Sequence, residues 1–314
     1  MRSRYTGEVF DHPIVSIEAE LAKAGVPVTE PQSAFLETLG KVAGRLRLSR
    51  NVRQPVGLVT VVPLMGLEER RLFPRGLVAE VVPICFDCWE PDYPRWTSFF
   101  RRYRVHRAYF TARQSASHFR VSLGMDARWL PEATVPEDYS RGPLLRQRTI
   151  DVLELGRRFA HYHAAVAEDL ARAHYRHLFE PKPRTIIFPS RAELVAALAD
   201  TKISICFPSS TTNPERSGAV ETLTHRYLEA MASRSLPLGQ APKELIELFG
   251  YDPVIPWREH APAAQLIEVL EAIDDYQDLV ERNLRRLLDV GTWSKRIQWL
   301  LHDLHQADPA AVTR

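Results

Sequence analysis

The chain has 314 residues, 45% of them hydrophobic and 25% charged, with a net charge of +2. This is an ordinary globular composition of a length that favours two domains, and so small a charge excludes an obligate polyanion partner as the default reading. The three cysteines are too few for a disulfide framework, and no apolar run is long enough to span a membrane. Only six of the 41 basic residues are lysines, a bias from which no function follows. Met1-Arg2-Ser3-Arg4 is not followed by an apolar signal segment, so the expectation is a soluble cytoplasmic protein without stable membrane insertion.

In chain order, a helix is expected near Val15–Ala24, stopped by Gly25 and Pro27, and a second over Gln32–Leu48. Val56–Val62 and Leu77–Ile84 are short β-branched runs of the kind found in buried parallel strands. After a loop at Asp87–Tyr93 come a helix at Pro94–Tyr103, a strand at Val105–Thr111, a helix at Gln114–Leu123 ended by Gly124, and a strand at Arg128–Leu130. Pro131–Pro143, with three prolines and a glycine, is the best linker candidate. The pattern then restarts. Strands are expected at Ile150–Leu155, Thr185–Phe188, Lys202–Phe207, Leu236–Leu238 and Val254–Ile255. Helices are expected at Arg157–Leu178, Arg191–Ala199, Ala219–Ala232, Pro242–Phe249, Pro262–Leu288 and Trp293–Leu304. Strand and helix alternate through both halves, which implies two α/β domains with parallel sheets and a cleft between them.

Cys85 and Cys88 form a C-x-x-C, but Pro91 and Pro94 interrupt the helix that a redox pair needs directly after it, and Cys206 stands alone. The metal expectation is none. His161 and His163 splay apart on a helix, and no D-x-D occurs.

Ligands of such sheets sit outside the carboxyl ends of the strands. The strand Lys202–Phe207 ends there and runs into "PSSTTNPERSG", where Pro208 opens a loop crowded with the hydroxyls of Ser209, Ser210, Thr211 and Ser217. Gly218 lets a ligand approach the backbone, the helix start after it suits a phosphate, and Arg216 adds a charge. On that helix Glu221 and Glu229 lie eight residues apart, a rise of about 12 Å. That separation is too great for two carboxylates to act on one atom. It fits two acceptors along one extended ligand, the sugar at one end and the ribose at the other; the alternative is a solvated face with Glu221 placed for the helix dipole.

The segment Glu221–Glu229, preceded by a strand and polar loop and followed by "AMASRSLPLG", resembles the E-x7-E signature of retaining GT-B glycosyltransferases of family 4. "VLELGRR" resembles the strand–Gly–Arg that opens the family's donor domain, and "YFTARQSASHF" with "RWLPEATVPEDY" its interdomain passage. The resemblance implies a GT-B fold, two Rossmann-like domains facing a cleft, with the N-terminal one shortened. Residues 1–142 would bind the acceptor, residues 143–290 a nucleotide diphosphate sugar, and residues 291–314 would return to the first domain. It further implies that Glu229 holds the ribose, that Glu221 lies by the donor sugar, and that backbone at Thr222 and Leu223 lies by the phosphate. Arg157 would neutralise the diphosphate, with Arg158 in place of the family's usual lysine, and Ser190 completes the donor side. The catalytic candidates are Glu221 and Asp87; Met65, Gly66 and Trp89 are candidates on the acceptor side. No cofactor is implied beyond the nucleotide-sugar co-substrate.

Two other readings stand beside this one. A sugar-nucleotide 2-epimerase would share the nucleotide site. A nucleic-acid module would use the arginine–aromatic stretch Phe99–Phe110 and Arg45–Arg53, although the aromatics of the first suit a core and the expectation is no nucleic-acid partner. The acceptor is expected to be a small molecule or saccharide, and a homodimer is left open.

Overall fold

A computed structural model describes residues 13–27, 59–66, 80–156, 158–181 and 186–307. The described residues form two compact units, one of those within 17–131 together with 296–307, the other of 13–16 together with those within 132–295. Helix α1 spans Pro13–Lys23. The expected helix at 32–48 lies outside the described residues.

The first unit holds a parallel sheet of four strands in sequential order: β1 (Val59–Met65), β2 (Glu80–Phe86), β3 (Arg107–Phe110) and β4 (Asp126–Trp129). Crossover helices α2 (Tyr93–Tyr103) and α3 (Arg113–Leu123) join them. Both stop where the chain turns left-handed, at Arg104 and at Gly124. The core is aromatic, with Trp96, Phe99, Phe100, Phe110 and Phe119 buried together. The aromatics of the arginine-rich stretch are therefore packing groups. The last helix, α12 (Trp293–Ala307; α4–α11 are introduced below), contributes Asp303, whose carboxylate accepts from the Tyr109 hydroxyl at 2.6 Å and pairs with Arg128.

The second unit holds a five-stranded parallel sheet in the order β6-β5-β7-β8-β9, built from β5 (Ile150–Glu154), β6 (His177–Phe179), β7 (Thr201–Cys206), β8 (Leu236–Gly239) and β9 (Ile255–Pro256). One face packs on α5 (Arg191–Ala199), α8 (His225–Ala232), α9 (Lys243–Phe249) and Leu287 of α11 (Gln277–Val290). The other packs on α4 (Ala160–Arg172) and α10 (Pro262–Glu271). The chain leaves β5 toward one edge and β7 toward the other, so the switch point that forms a ligand crevice in such sheets lies between these two strands.

Four expectations need correction. The helix foreseen over 157–178 covers only α4: His174 adopts φ +60°, Tyr175 N–H bonds back to Leu170, and the chain re-enters the sheet as β6. The strand foreseen at 185–188 is not one, since Ile186–Phe188 is irregular. The helix foreseen over 262–288 breaks at a 3-10 turn, Ile273–Tyr276, between α10 and α11. The helix foreseen from Ala219 begins only at His225, because Gly218 turns at φ +59° and Thr224 is extended. The Pro131–Pro143 stretch is anchored, with Thr134 buried and bridged to Thr292.

Candidate functional site at the carboxyl ends of the strands

The polar loop after β7 is two short helical turns, α6 (Ser209–Thr212, directly after Pro208) and α7 (Pro214–Ser217). Its hydroxyls are largely used within the protein. Thr211 donates to Gln240 Oε1 at 2.9 Å and Ser217 to the Asn213 carbonyl at 3.0 Å. Ser209 is buried, Ser210 half-buried and Arg216 exposed. Ser190 caps α5 in a reciprocal box with Glu193, so its side chain holds a helix end.

Glu221 lies in the extended segment between Gly218 and α8, so the 12 Å helical rise between the two glutamates does not apply. Its carboxylate accepts the Lys243 N–H at 2.7 Å, at the start of α9. The electrostatic preference of Glu221 for a helix N-terminus is thus met, by a different helix. In return buried Glu244, in the first turn of α9, accepts from Thr222 Oγ1 at 2.7 Å and from Leu223 N–H at 2.5 Å. The Leu223 amide that the resemblance gave to a phosphate is occupied. Glu221 and Glu244 form a clasp across 221–223 and α9, and Glu244 was missed by sequence reasoning. Its signal is an acid in the first turn after Pro242.

Glu229 sits on α8 with its side chain 5% exposed. The Tyr139 hydroxyl donates to its Oε1 at 3.2 Å and lies 3.0 Å from His225 Nε2. Arg191 approaches the same oxygen at 3.9 Å, and its guanidinium lies 4.7 Å from the Tyr139 ring centre. Tyr139 and Arg191 were also missed.

Arg157 lies outside the described residues. Gly156, at the end of β5, turns at φ +70°, and a Cβ there would stand 2.8 Å from Nη2 of Arg226. Arg226 belongs to the first turn of α8, and its charge acts on the Cys206 thiol at the end of β7, which burial nonetheless pushes up to about 12. Arg226 therefore stands against the end of β5, beside the switch point.

Arg158 is on the β6 side of this turn. Its Nη1 lies 2.8 Å from His163 Nε2, and its guanidinium 5.2 Å from the Phe179 ring centre. His163 Nδ1 is 2.8 Å, and His177 Nε2 2.9 Å, from Glu154 Oε1. Glu154 is buried, yet the two imidazoles hold its carboxyl below the usual range against the opposing effect of desolvation. Glu154, His163 and His177 are the described residues that could gather around a metal, with donor atoms within 4.8 Å. The hydrogen bonds of His163 compete with such a use. A guanidinium only donates, so with Arg158 as its partner Nε2 accepts and the proton lies on Nδ1, the nitrogen that faces Glu154.

In the first unit the acceptor-side candidates come together. Met65 pairs in register with Phe86, and Gly66 N–H, at a left-handed turn, donates to the Phe86 carbonyl at 3.2 Å. Asp87 follows at φ +48°, and Trp89 is buried behind it.

No protein-family model matches the sequence, and no curated protein does. Solved structures do. AviGT4, a glycosyltransferase involved in avilamycin A biosynthesis, is similar at TM-score 0.57 and 14% identity over 95% of this chain and 90% of its own. Anabaena Alr3699/HepE in complex with UDP-glucose is similar at 0.56 and 11% over 98% of both chains. A glycosyltransferase from Rickettsia africae follows at 0.54 and 10% over 92% and 86%. The chain has a GT-B fold. Within the GT-B fold the two sheets are the Rossmann-like pair the sequence implied, and no described helix is long and apolar enough to cross a membrane.

Proposed function

We propose that this chain is a glycosyltransferase that moves a sugar from a nucleotide diphosphate sugar to a hydroxyl of a small-molecule or saccharide acceptor, retaining the anomeric configuration without a metal. The observation that carries it is the switch point between β5 and β7. There Arg226 stands against Gly156, and Glu229 lies one turn further along the same helix. A departing diphosphate needs fixed positive charge, which Arg226, Arg158 and Arg157 supply on this reading. Ribose hydroxyls need a fixed acceptor, and Glu229 is an oriented, buried one. On this reading Glu221, whose carboxylate accepts from the start of α9, would lie by the donor sugar. A UDP-sugar is the first donor to try, because Anabaena HepE was crystallised with UDP and with UDP-glucose. Residues 143–290 would hold the donor and Met65, Gly66, Asp87 and Trp89 the acceptor.

The test is a thermal-shift panel of UDP, GDP and ADP and their sugars, followed by product analysis. Stabilisation by at least one diphosphate, then transfer that survives EDTA with the anomeric configuration kept, supports the reading. Loss of transfer restored by magnesium or manganese would put the leaving-group charge on a cation instead. An isomerised sugar without transfer would favour the 2-epimerase.

A further inference from the structure

The chain Arg158–His163–Glu154–His177 is the least expected feature of the second unit. Register puts Val152 beside His177 and Glu154 beside Phe179 on neighbouring strands, so these side chains share the sheet face on which the first turn of α4 carries His163. An ionised carboxylate buried there is costly unless it is paired and hydrogen-bonded. Two imidazole N–H groups keep Glu154 ionised. His177, with its side chain 5% exposed, bonds through Nε2 to Glu154, while its Nδ1 is buried without a partner among the described residues. It serves the carboxylate alone. His163 does more: its far nitrogen receives Arg158. The carboxylate fixes the Nδ1–H tautomer, and only that tautomer accepts from a guanidinium.

We propose that Glu154 and His163 are positioning residues that set Arg158 for the diphosphate of a nucleotide sugar. This rests on the donor reading given above. An unrestrained arginine loses rotamer freedom when it meets its ligand, whereas one already held by His163 and stacked on Phe179 has lost it beforehand. The guanidinium carries five N–H donors, and the bond to His163 uses one of them, so the fork can still meet a phosphate. Replacing Glu154 by Met keeps the length but removes the oxygen that both imidazoles share. Nothing then fixes the His163 proton on Nδ1, and a proton on Nε2 opposes Arg158.

The test compares the full-length wild type with Glu154→Met, His163→Ala and His163→Gln. Dissociation constants are measured for UDP, GDP and ADP, each against its own nucleoside. In whichever pair binds, the preference for the diphosphate over the nucleoside should fall about tenfold in Glu154→Met and His163→Ala, one lost bond to a charged group. It should return to within about threefold of wild type in His163→Gln, whose carbonyl can accept from Arg158. Nitrogen NMR should place the His163 proton on Nδ1 in the wild type and on Nε2 in Glu154→Met. If Glu154→Met does not fold, the two substitutions at His163 carry the comparison. An unchanged preference in folded variants, or an unchanged tautomer, overturns the inference while leaving the donor reading intact. Stoichiometric zinc binding lost in these variants overturns it in favour of a metal cluster. A wild type that binds no diphosphate overturns the donor reading and the inference with it.

Discussion

At the carboxyl end of the first sheet the chain turns left-handed twice, at Gly66 after β1 and at Asp87 after β2, and then buries Cys88 and Trp89. At the carboxyl end of the second sheet it buries charges. Glu154, Glu229 and Glu244 are each nearly inaccessible, and each carboxylate has its own partners: two imidazoles, a tyrosine hydroxyl, and a threonine hydroxyl with a backbone amide. Apolar packing fixes a shape and asks little of its neighbours. A buried carboxylate is retained only where several specific partners come to it, and such arrangements concentrate where a fold does chemistry. The difference assigns the charged work to the second unit. The following substitutions press on that contrast.

The largest effect is expected from Glu244→Ala. It orphans the Thr222 hydroxyl and the Leu223 amide, each costing about 1–3 kcal/mol when buried. The second unit should lose about 3 kcal/mol in denaturant unfolding. Glu221→Ala removes only a cap at the more exposed start of α9 and should lose about 1 kcal/mol. Equal small losses would show that the clasp does not hold the segment.

Next come the two glutamates of the E-x7-E segment. Glu229→Gln keeps an oxygen for Tyr139 but loses the charge that would receive the ribose, so donor KM should rise about tenfold with kcat little changed. Glu221→Gln should lower kcat more than KM, because positive charge develops on the donor sugar only as the diphosphate leaves. Steady-state kinetics on both decide it. Small equal changes in both parameters would leave the pair as structural groups, each serving its own helix.

A smaller effect is expected in acid. The folded-state pKa of Glu154 is lowered, so its contribution to stability is complete above the unfolded value and is lost as pH falls through the folded one. Wild-type stability should decline from about pH 5 downward. Glu154→Gln, having no charge to lose there, should show a shallower decline, read from unfolding midpoints across that range. Parallel declines would mean that the histidines do not hold Glu154 ionised.

Strands β5, β7 and β8 were legible because each is a short run rich in Ile, Val and Leu that is buried on both faces, and α5 because Ser190 and Glu193 announce its start. β6 was not. The helix before it ends at a left-handed histidine, so no glycine marked the boundary, and three residues carry no period. At the site, Glu221 and Glu229 were legible as residue types at a spacing, but the element carrying Glu221 was not. What holds that segment extended is Glu244, more than twenty residues on, and a tertiary cap leaves no local trace. Arg226 was hidden for a similar reason. A helix-start arginine looks like a surface charge until Gly156 is seen to leave room for it. The relay through His163 needed two strands and a helix brought together, and only the imidazole spacing was visible beforehand.

The smallest effect, none at all, is expected where the first sheet ends. A redox C-x-x-C depends on an exposed thiolate of low pKa. Cys85 and Cys88 are both buried, and desolvation holds both thiols well above their ordinary value; for Cys88 the negative groups around it push the same way. A neutral, inaccessible thiol neither attacks a disulfide nor binds a metal. Native protein should therefore leave both unlabelled by a thiol reagent, while denatured protein exposes all three cysteines. Its unfolding midpoint should be the same with and without reductant. Rapid labelling of Cys88 in the native protein, with a midpoint that moves on reduction, would place reactive chemistry at the first sheet as well and remove the contrast between the two ends.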